Sequence, residues 1–274
     1  MIKTSFSTLA CPDWGLPEVL RAASTYGYDG VELRVISREL DLWNLPDFQP
    51  SSLAATRAVI QDHGLVVVSM GSSACFHSSD AHERERNFES ALRMAEVAAG
   101  LGAPSIRVFG DRIQLGNERA QTAAWIADSL TRLADKLQPS GVEVWLETHG
   151  DFATATEVSE LFALLDGAQI GIIWDPANAL EQTGEAPSIS ARMAPHIRHA
   201  HLKDFKKDAQ GHTRYVPTGE GSFPFATMFA ALAEIGFDGF VSFEWEKLWH
   251  PELAGPEIAL PHFIQWWKSR NTLC

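Results

Sequence analysis

The stretch Val142-Glu-Val-Trp-Leu-Glu147 is an apolar run of strand length that ends on a carboxylate, and three later runs repeat the device. Ile170-Gly-Ile-Ile-Trp-Asp175 ends on an aspartate, Ile197-Arg-His-Ala-His201 on an imidazole, and Phe240-Val-Ser-Phe-Glu244 on a glutamate. Each run has strand composition, and a helix-like stretch separates it from the next, as in parallel strands joined by crossover helices. Parallel neighbours end at one edge of one sheet. Glu147, Asp175, His201 and Glu244 then converge there, and three carboxylates with one imidazole make a ligand set for a divalent metal.

The same alternation extends towards the amino terminus. Met1-Ile-Lys-Thr-Ser-Phe-Ser7 reads as a first strand, followed by Gly30–Val35, Leu65–Met70 and Pro104–Gly110. Helix patterns lie between the strands. Thr122–Leu137 places Ala123, Ile126, Ala127, Leu130, Leu133, Ala134 and Leu137 on one stripe, and Asn87–Leu101 does the same through Phe88, Ala91, Leu92, Ala95 and Ala99. Pro17 suits the first turn of a helix, and Gly27, Gly64 and Gly100 suit helix C-terminal caps. The last helix is expected over Pro256–Lys268, with Trp266 and Trp267 packing it down. Eight strand-plus-helix units, without linker or low-complexity segment, predict an α/β chain forming one (β/α)8 barrel domain over residues 1–274. An open doubly wound sheet is the alternative with the same alternation.

Strand periodicity assigns faces. With Val142, Val144 and Leu146 towards the helices, Glu143, Trp145 and Glu147 face the lumen. The same register turns Asp175 inward with Ile173, His201 with His199, and Glu244 with Ser242; it also directs Glu32, Arg34 and Arg107 inward. Charges in a lumen need partners, so a carboxylate–guanidinium contact is expected among Glu32, Arg34 and Arg107. His199, two residues deeper than His201, is expected to pack or support rather than ligate.

Composition narrows the class. Lys and Arg total 22 against 35 Asp and Glu, a formal charge of −13 that repels nucleic acid and anionic membranes. No apolar stretch approaches the roughly 20 residues needed to span a bilayer, and no basic-then-apolar signal opens the chain. Cys11, Cys75 and Cys274 show no Cys-x-x-Cys spacing and read as free thiols of a reducing, cytoplasmic compartment. A small neutral or metal-chelated substrate is not penalised by the negative charge, and a homo-oligomer is compatible with the composition.

Five motifs carry a family resemblance over nearly the whole chain: Gly30-Val-Glu-Leu-Arg34, Glu147-Thr-His-Gly-Asp151, Trp174-Asp-Pro-Ala-Asn178, His199-Ala-His-Leu-Lys-Asp204 and Phe243-Glu-Trp-Glu-Lys247. With Gly219-Glu-Gly221, they resemble the sugar phosphate isomerase/epimerase family of the xylose isomerase-like TIM barrels. The resemblance implies a single metal on Glu147, Asp175, His201 and Glu244, the residues already selected by their strand ends. Ketohexose epimerases of the superfamily carry a substrate-contacting histidine where this chain has Asn178. Apurinic endonucleases of the same fold hold a three-metal cluster with further histidines, which this chain lacks in suitable places.

Oxygen ligands with one imidazole suit Mn²⁺, Mg²⁺ or Co²⁺, and Zn²⁺ is also compatible. Such an ion, chelated by a sugar's carbonyl and hydroxyl, stabilises the enediolate left when a proton departs from the carbon beside the carbonyl. Glu147 and Glu244 are the expected acid/base pair, which the resemblance to epimerases also implies. Glu32, Arg107, His149, Asn178 and Lys203 are expected to contact substrate, with pairing to Asp204 or a neighbouring carboxylate an equal alternative for Lys203. Lys247, Trp249 and His250 extend the last strand near the barrel mouth. A lyase or dehydratase on an inosose-like keto-polyol shares the first step, and an idle sugar-binding barrel would show a lost ligand or lost flanking carboxylates.

Overall fold

The computed structural model describes residues 2–165 and 167–271; Cys274 lies outside the described residues. Eight parallel strands close into a barrel: β1 (Lys3–Ser7), β2 (Gly30–Leu33), β3 (Val66–Cys75), β4 (Ser105–Phe109), β5 (Glu143–Glu147), β6 (Ile170–Trp174), β7 (Ile197–Leu202) and β10 (Phe240–Phe243). β10 pairs with both β7 and β1, which seals the sheet and leaves it no open edge. Closure removes the doubly wound alternative. Two further strands, β8 (Asp204–Lys207) and β9 (Thr213–Val216), form an antiparallel hairpin after β7, with Phe205 opposite Tyr215.

The helices follow the strands around the outside: α1 (Leu16–Tyr26), α2 (Leu53–Asp62), α3 (Ala81–Leu101), α4 (Arg119–Leu137), α5 (Ala155–Phe162), α6 (Pro176–Thr183), α7 (Phe225–Glu234) and α8 (Pro256–Asn271). On α4 the expected stripe is the buried one, from Ala123 through Ile126, Leu130 and Leu133 to Leu137. α3 begins six residues before the periodicity predicted, because the Asp80 side chain accepts from the His82 N–H and starts a charged first turn. Gly27 closes α1 in the left-handed region at φ 88°, as expected. Gly100 does not cap: it lies inside α3, where a Cβ would meet Leu53 of α2 at 2.4 Å, and Gly102 at φ 74° closes the helix instead.

The lumen face follows the predicted register, with one exception at its lower end. Arg34 and Arg107 are buried and flank Gly71, whose missing Cβ leaves room for the Arg34 side-chain stem and the Arg107 guanidinium. Ser5 and Ser242 meet across β1 and β10 at 2.7 Å, a polar layer below the mouth. Trp145 faces inward against His199, ring centroids 6.2 Å apart, and Gly171 on β6 makes the space for its indole. Glu143 is the exception: its side chain is 44% exposed at the foot of β5, accepting from Trp145 Nε1 and pairing with Arg198. At the foot of a barrel strand, an inward-pointing residue reaches solvent rather than the packed layers.

Candidate metal centre

Four strand ends deliver the ligand set to one place. Glu147 is the last residue of β5, Asp175 caps α6 directly after β6, His201 is in the final pair of β7, and Glu244 follows β10. One donor atom from each lies within 4.8 Å of all the others, and all four residues are buried. His201 Nδ1 is 3.3 Å from Glu244 Oε1 and 3.8 Å from both Glu147 Oε1 and Asp175 Oδ2.

The donors are aimed rather than merely close. Asp175 Oδ1 accepts from the Ala177 and Asn178 backbone N–H groups, which fixes the carboxylate as the N-cap of α6. Its Oδ2 faces the cluster with only the Lys203 ammonium, 3.0 Å away, as a partner, Glu147 Oε2 has only the Arg107 guanidinium at 3.0 Å, and His201 Nδ1 is buried with no hydrogen bond. His201 Nε2 sits 2.9 Å from Glu32 Oε2, so an Nε2–H donated there leaves the Nδ1 lone pair towards the three carboxylates. Glu32 also lies 3.1 Å from His199 Nε2, which makes it the shared anchor of both imidazoles.

Electrostatics make the same demand. With His201 neutral, as a ligating imidazole must be, the carboxylates of Glu32, Glu147, Asp175, Glu244 and Glu246 outnumber the cations Arg34, Arg107 and Lys203 by two, the charge of one divalent ion. Burial pushes Asp175 up to about 6, with Glu244 and Glu147 adding to burial and Lys203 opposing it. Burial disfavours the His201 imidazolium, yet Glu32, Glu244 and Glu147 outweigh it and hold its pKa well above the ordinary value. Burial likewise opposes the charge on Glu244, but Lys203 and His201 hold its carboxyl well below the usual range. An oriented imidazole whose Nδ1 makes no hydrogen bond, set among three carboxylates that exceed their cations, fits a bound divalent cation.

A cavity of ≈ 230 Å³ opens above the quartet, lined by Glu147, Glu244, Arg34, Arg107, Phe109, His149, Lys203, Glu246, Trp249 and Leu9. Arg107 Nη1 lies 3.0 Å from Glu147 Oε2, and its guanidinium stacks 3.9 Å over the Phe109 ring. This is the inward carboxylate–guanidinium contact, but its carboxylate is Glu147 rather than the expected Glu32. Lys203 Nζ reaches Asp175 Oδ2 at 3.0 Å, Glu244 Oε2 at 2.8 Å and Glu246 Oε1 at 2.6 Å. The expected pairing with neighbouring carboxylates is thus present, but Asp204 is not among them, its carboxylate accepting the backbone N–H groups of Phe205, Gly219, Gly221 and Phe223.

Two expected substrate contacts are therefore corrected. Glu32 is 1% exposed beneath the histidines and is absent from the cavity wall, because its carboxylate is spent on their ring nitrogens. Asn178 is buried with Nδ2 donating to the Thr148 carbonyl at 3.0 Å, so it braces the β5 and β6 strand ends rather than lining the cavity. Arg107, His149 and Lys203 do line it. Sequence reasoning passed over Leu9, Phe109 and Glu246 on this wall. Glu246 lies two residues beyond Glu244, a strand-period spacing that pointed to it, and Trp249 was left without a role.

Known proteins resemble this chain in sequence and in fold. The chain is 25% identical to the L-ribulose-5-phosphate 3-epimerase UlaE of Salmonella paratyphi C, over 92% of this chain and 89% of that protein. It is 27% identical to an inosose dehydratase of Bacillus anthracis, over 51% of this chain and 53% of that protein, so it spans about half the length of those curated relatives. Among solved structures, the IOLI protein with a bound zinc atom superposes at a TM-score of 0.77 and 19% identity, covering 96% of each chain, a likeness of fold. The family model described as xylose isomerase-like TIM barrel matches residues 20–269, which contain Glu147, Asp175, His201 and Glu244, and the chain belongs to that family.

Proposed function

We propose that this chain is a divalent-metal-dependent isomerase or epimerase of a keto or aldo sugar, or a close derivative, working by proton transfer at the carbon beside the carbonyl. The observation that carries the reading is a pair of carboxylates on separated strands, Glu147 on β5 and Glu244 after β10, both lining one cavity with β6 and β7 between them. A divalent ion held by Glu147, Asp175, His201 and Glu244 supplies Lewis-acid polarisation of the substrate oxygens. The protein's own groups supply the rest.

Each of the two carboxylates has its own cation. Arg107 neutralises Glu147 Oε2 while leaving that carboxylate at the cavity wall, where it takes the proton from carbon. Lys203 keeps Glu244 ionised, so that on the opposite side the second carboxylate accepts a proton in one direction and returns it in the other. Arg107, His149 and Lys203 are placed to hold substrate hydroxyls, and Trp249 offers an apolar face to a sugar ring at the mouth. The small cavity and the acidic chain favour a small-molecule substrate over nucleic acid. Among the described residues, no helix is long and apolar enough to cross a membrane.

A dehydratase outcome is the second reading, favoured by the likeness to inosose dehydratases and by the Lys203 ammonium in the cavity, a donor for a departing hydroxyl. The first proton abstraction is common to both. Metal-loaded and chelator-stripped protein incubated with ketoses, inososes and keto-glycosides separates them: an isomer of unchanged mass supports isomerisation, and loss of one water supports elimination. Equal turnover by stripped protein would refute both.

A further inference from the structure

Beyond the quartet, a second convergence of ligating atoms sits on the barrel rim. Cys75 ends β3, His77 follows on the loop into α3, and Asp111 follows β4 on the loop into α4. One donor atom from each lies within 4.8 Å of the others, and none of the three residues belongs to the quartet. We propose that Cys75 Sγ, His77 Nδ1 and Asp111 Oδ2 form a second metal site for a thiophilic divalent ion of the Zn²⁺ type, independent of the first.

Three observations support it. His77 Nδ1 is buried without a hydrogen bond and lies 4.0 Å from Asp111 Oδ2, so the ring nitrogen and the carboxylate oxygen face each other with no hydrogen bond between them. Asp111 Oδ1 is held on its other side by His149 Nδ1 at 3.2 Å, the arrangement in which one carboxylate oxygen is fixed and the other is free to ligate. The Asp111 backbone is in the left-handed region at φ 64°, kept there by Gly150, where a Cβ would meet the Asp111 carbonyl at 2.5 Å, and by an Asp151 N–H bond to that carbonyl. Non-glycine residues occupy that region at a cost, and here it turns the carboxylate towards Cys75 and His77.

The donor set decides the ion. Thiolate, imidazole and carboxylate suit Zn²⁺ or Co²⁺ and disfavour Mg²⁺ or Ca²⁺, and three protein ligands leave a fourth position for water. With bonds of about 2.0–2.3 Å, donors around a tetrahedral ion lie about 3.5 Å apart, so the three groups need to close by about 1 Å. Burial pushes the Cys75 thiol up to about 11, Asp111 and Glu83 adding to it, so metal-free Cys75 is protonated at neutral pH and binding releases that proton. The bound ion would tie the β3–α3 and β4–α4 loops together and, through Asp111, fix His149 on the cavity wall.

Cobalt reports the two sites separately, because only the second contains sulfur. Stripped protein titrated with Co²⁺ should bind two ions per chain and develop thiolate-to-cobalt charge-transfer absorption. Cys75→Ser and His77→Gln should each lose one ion, with the charge-transfer band abolished in Cys75→Ser, while the oxygen- and nitrogen-ligated ion remains. Glu147→Gln should weaken that remaining ion and leave the sulfur band intact, so failure here and failure of the proposed function are distinguishable. Cys11 is buried in the core, and Cys274→Ser should keep the band. Wild-type protein that binds one ion without a sulfur band, or a band that persists in Cys75→Ser, would overturn the proposal.

Discussion

At the residue scale, the proposed function gives Glu147 two duties, ligand and base, that a single substitution separates from its shape. Glu147→Gln keeps the volume but removes a ligand charge and a proton acceptor, so metal affinity should fall and turnover should drop by about 10²–10⁴-fold or more, the usual worth of a general base. Calorimetric metal titration and kcat measurement check both, and an unchanged kcat would contradict the assignment. Glu32→Gln is subtler. It leaves the quartet whole but weakens the anchor of His201 Nε2, so metal affinity should fall by about 10–100-fold. The ligands were legible in the sequence because each closes an apolar run. Glu32 was legible as inward-facing, but strand period gives the face and not the depth, and only the closed barrel shows that it sits below the histidines rather than beside a substrate.

At the element scale, the strands and most helices were legible from period and length, whereas the β8–β9 hairpin was not. Its signal, alternating Phe205 and Tyr215 strands around Asp208-Ala-Gln-Gly211, is short and lies in a stretch that reads as a loop. The hairpin and the segment after it are tied by Asp204, whose two oxygens accept four backbone N–H groups across residues 205–223. Gly219 and Gly221 belong to that tie: a Cβ on Gly221 would strike the Asp204 carboxylate. Asp204→Ala should therefore cost about 2–4 kcal/mol, since each buried unsatisfied donor costs about 1–3 kcal/mol and some gain water. Denaturant melts measure it, and a loss below about 0.5 kcal/mol, the range of an ordinary surface change, would show that the tie is not used. Gly171→Val tests the lumen in the same way. Its side chain would enter the space of Trp145 and should destabilise by about 1–3 kcal/mol through overpacking.

At the scale of the whole molecule, the fold concentrates buried charge at one end of a barrel, and pH reads out that concentration. In metal-free protein His201 has a raised pKa, so its stabilising contribution is complete below the unfolded value of about 6.5 and is lost as pH rises through the folded one. Asp175, also raised, acts in the same direction, its contribution declining from about pH 3.9 to about 6. Glu244 is depressed and acts oppositely, stabilising above about pH 4.3 and losing that contribution as pH falls. Stripped protein should thus lose stability on the alkaline side as His201 deprotonates, while metal affinity rises over the same range because the ion needs the neutral imidazole. Thermal melts with and without metal across pH 5–9 check the pair of trends, and parallel curves would contradict them.

The most direct measurement is turnover in deuterated water by metal-loaded protein, on whichever ketose, inosose or keto-glycoside it accepts. Proton exchange through Glu147 and Glu244 predicts deuterium at the carbon beside the carbonyl, with Glu147→Gln abolishing its entry. A product formed at full rate without solvent deuterium would mean that the substrate's own hydrogen moves as hydride between neighbouring carbons. That result would contradict the proton-transfer mechanism while leaving the barrel and its four converging ligands in place.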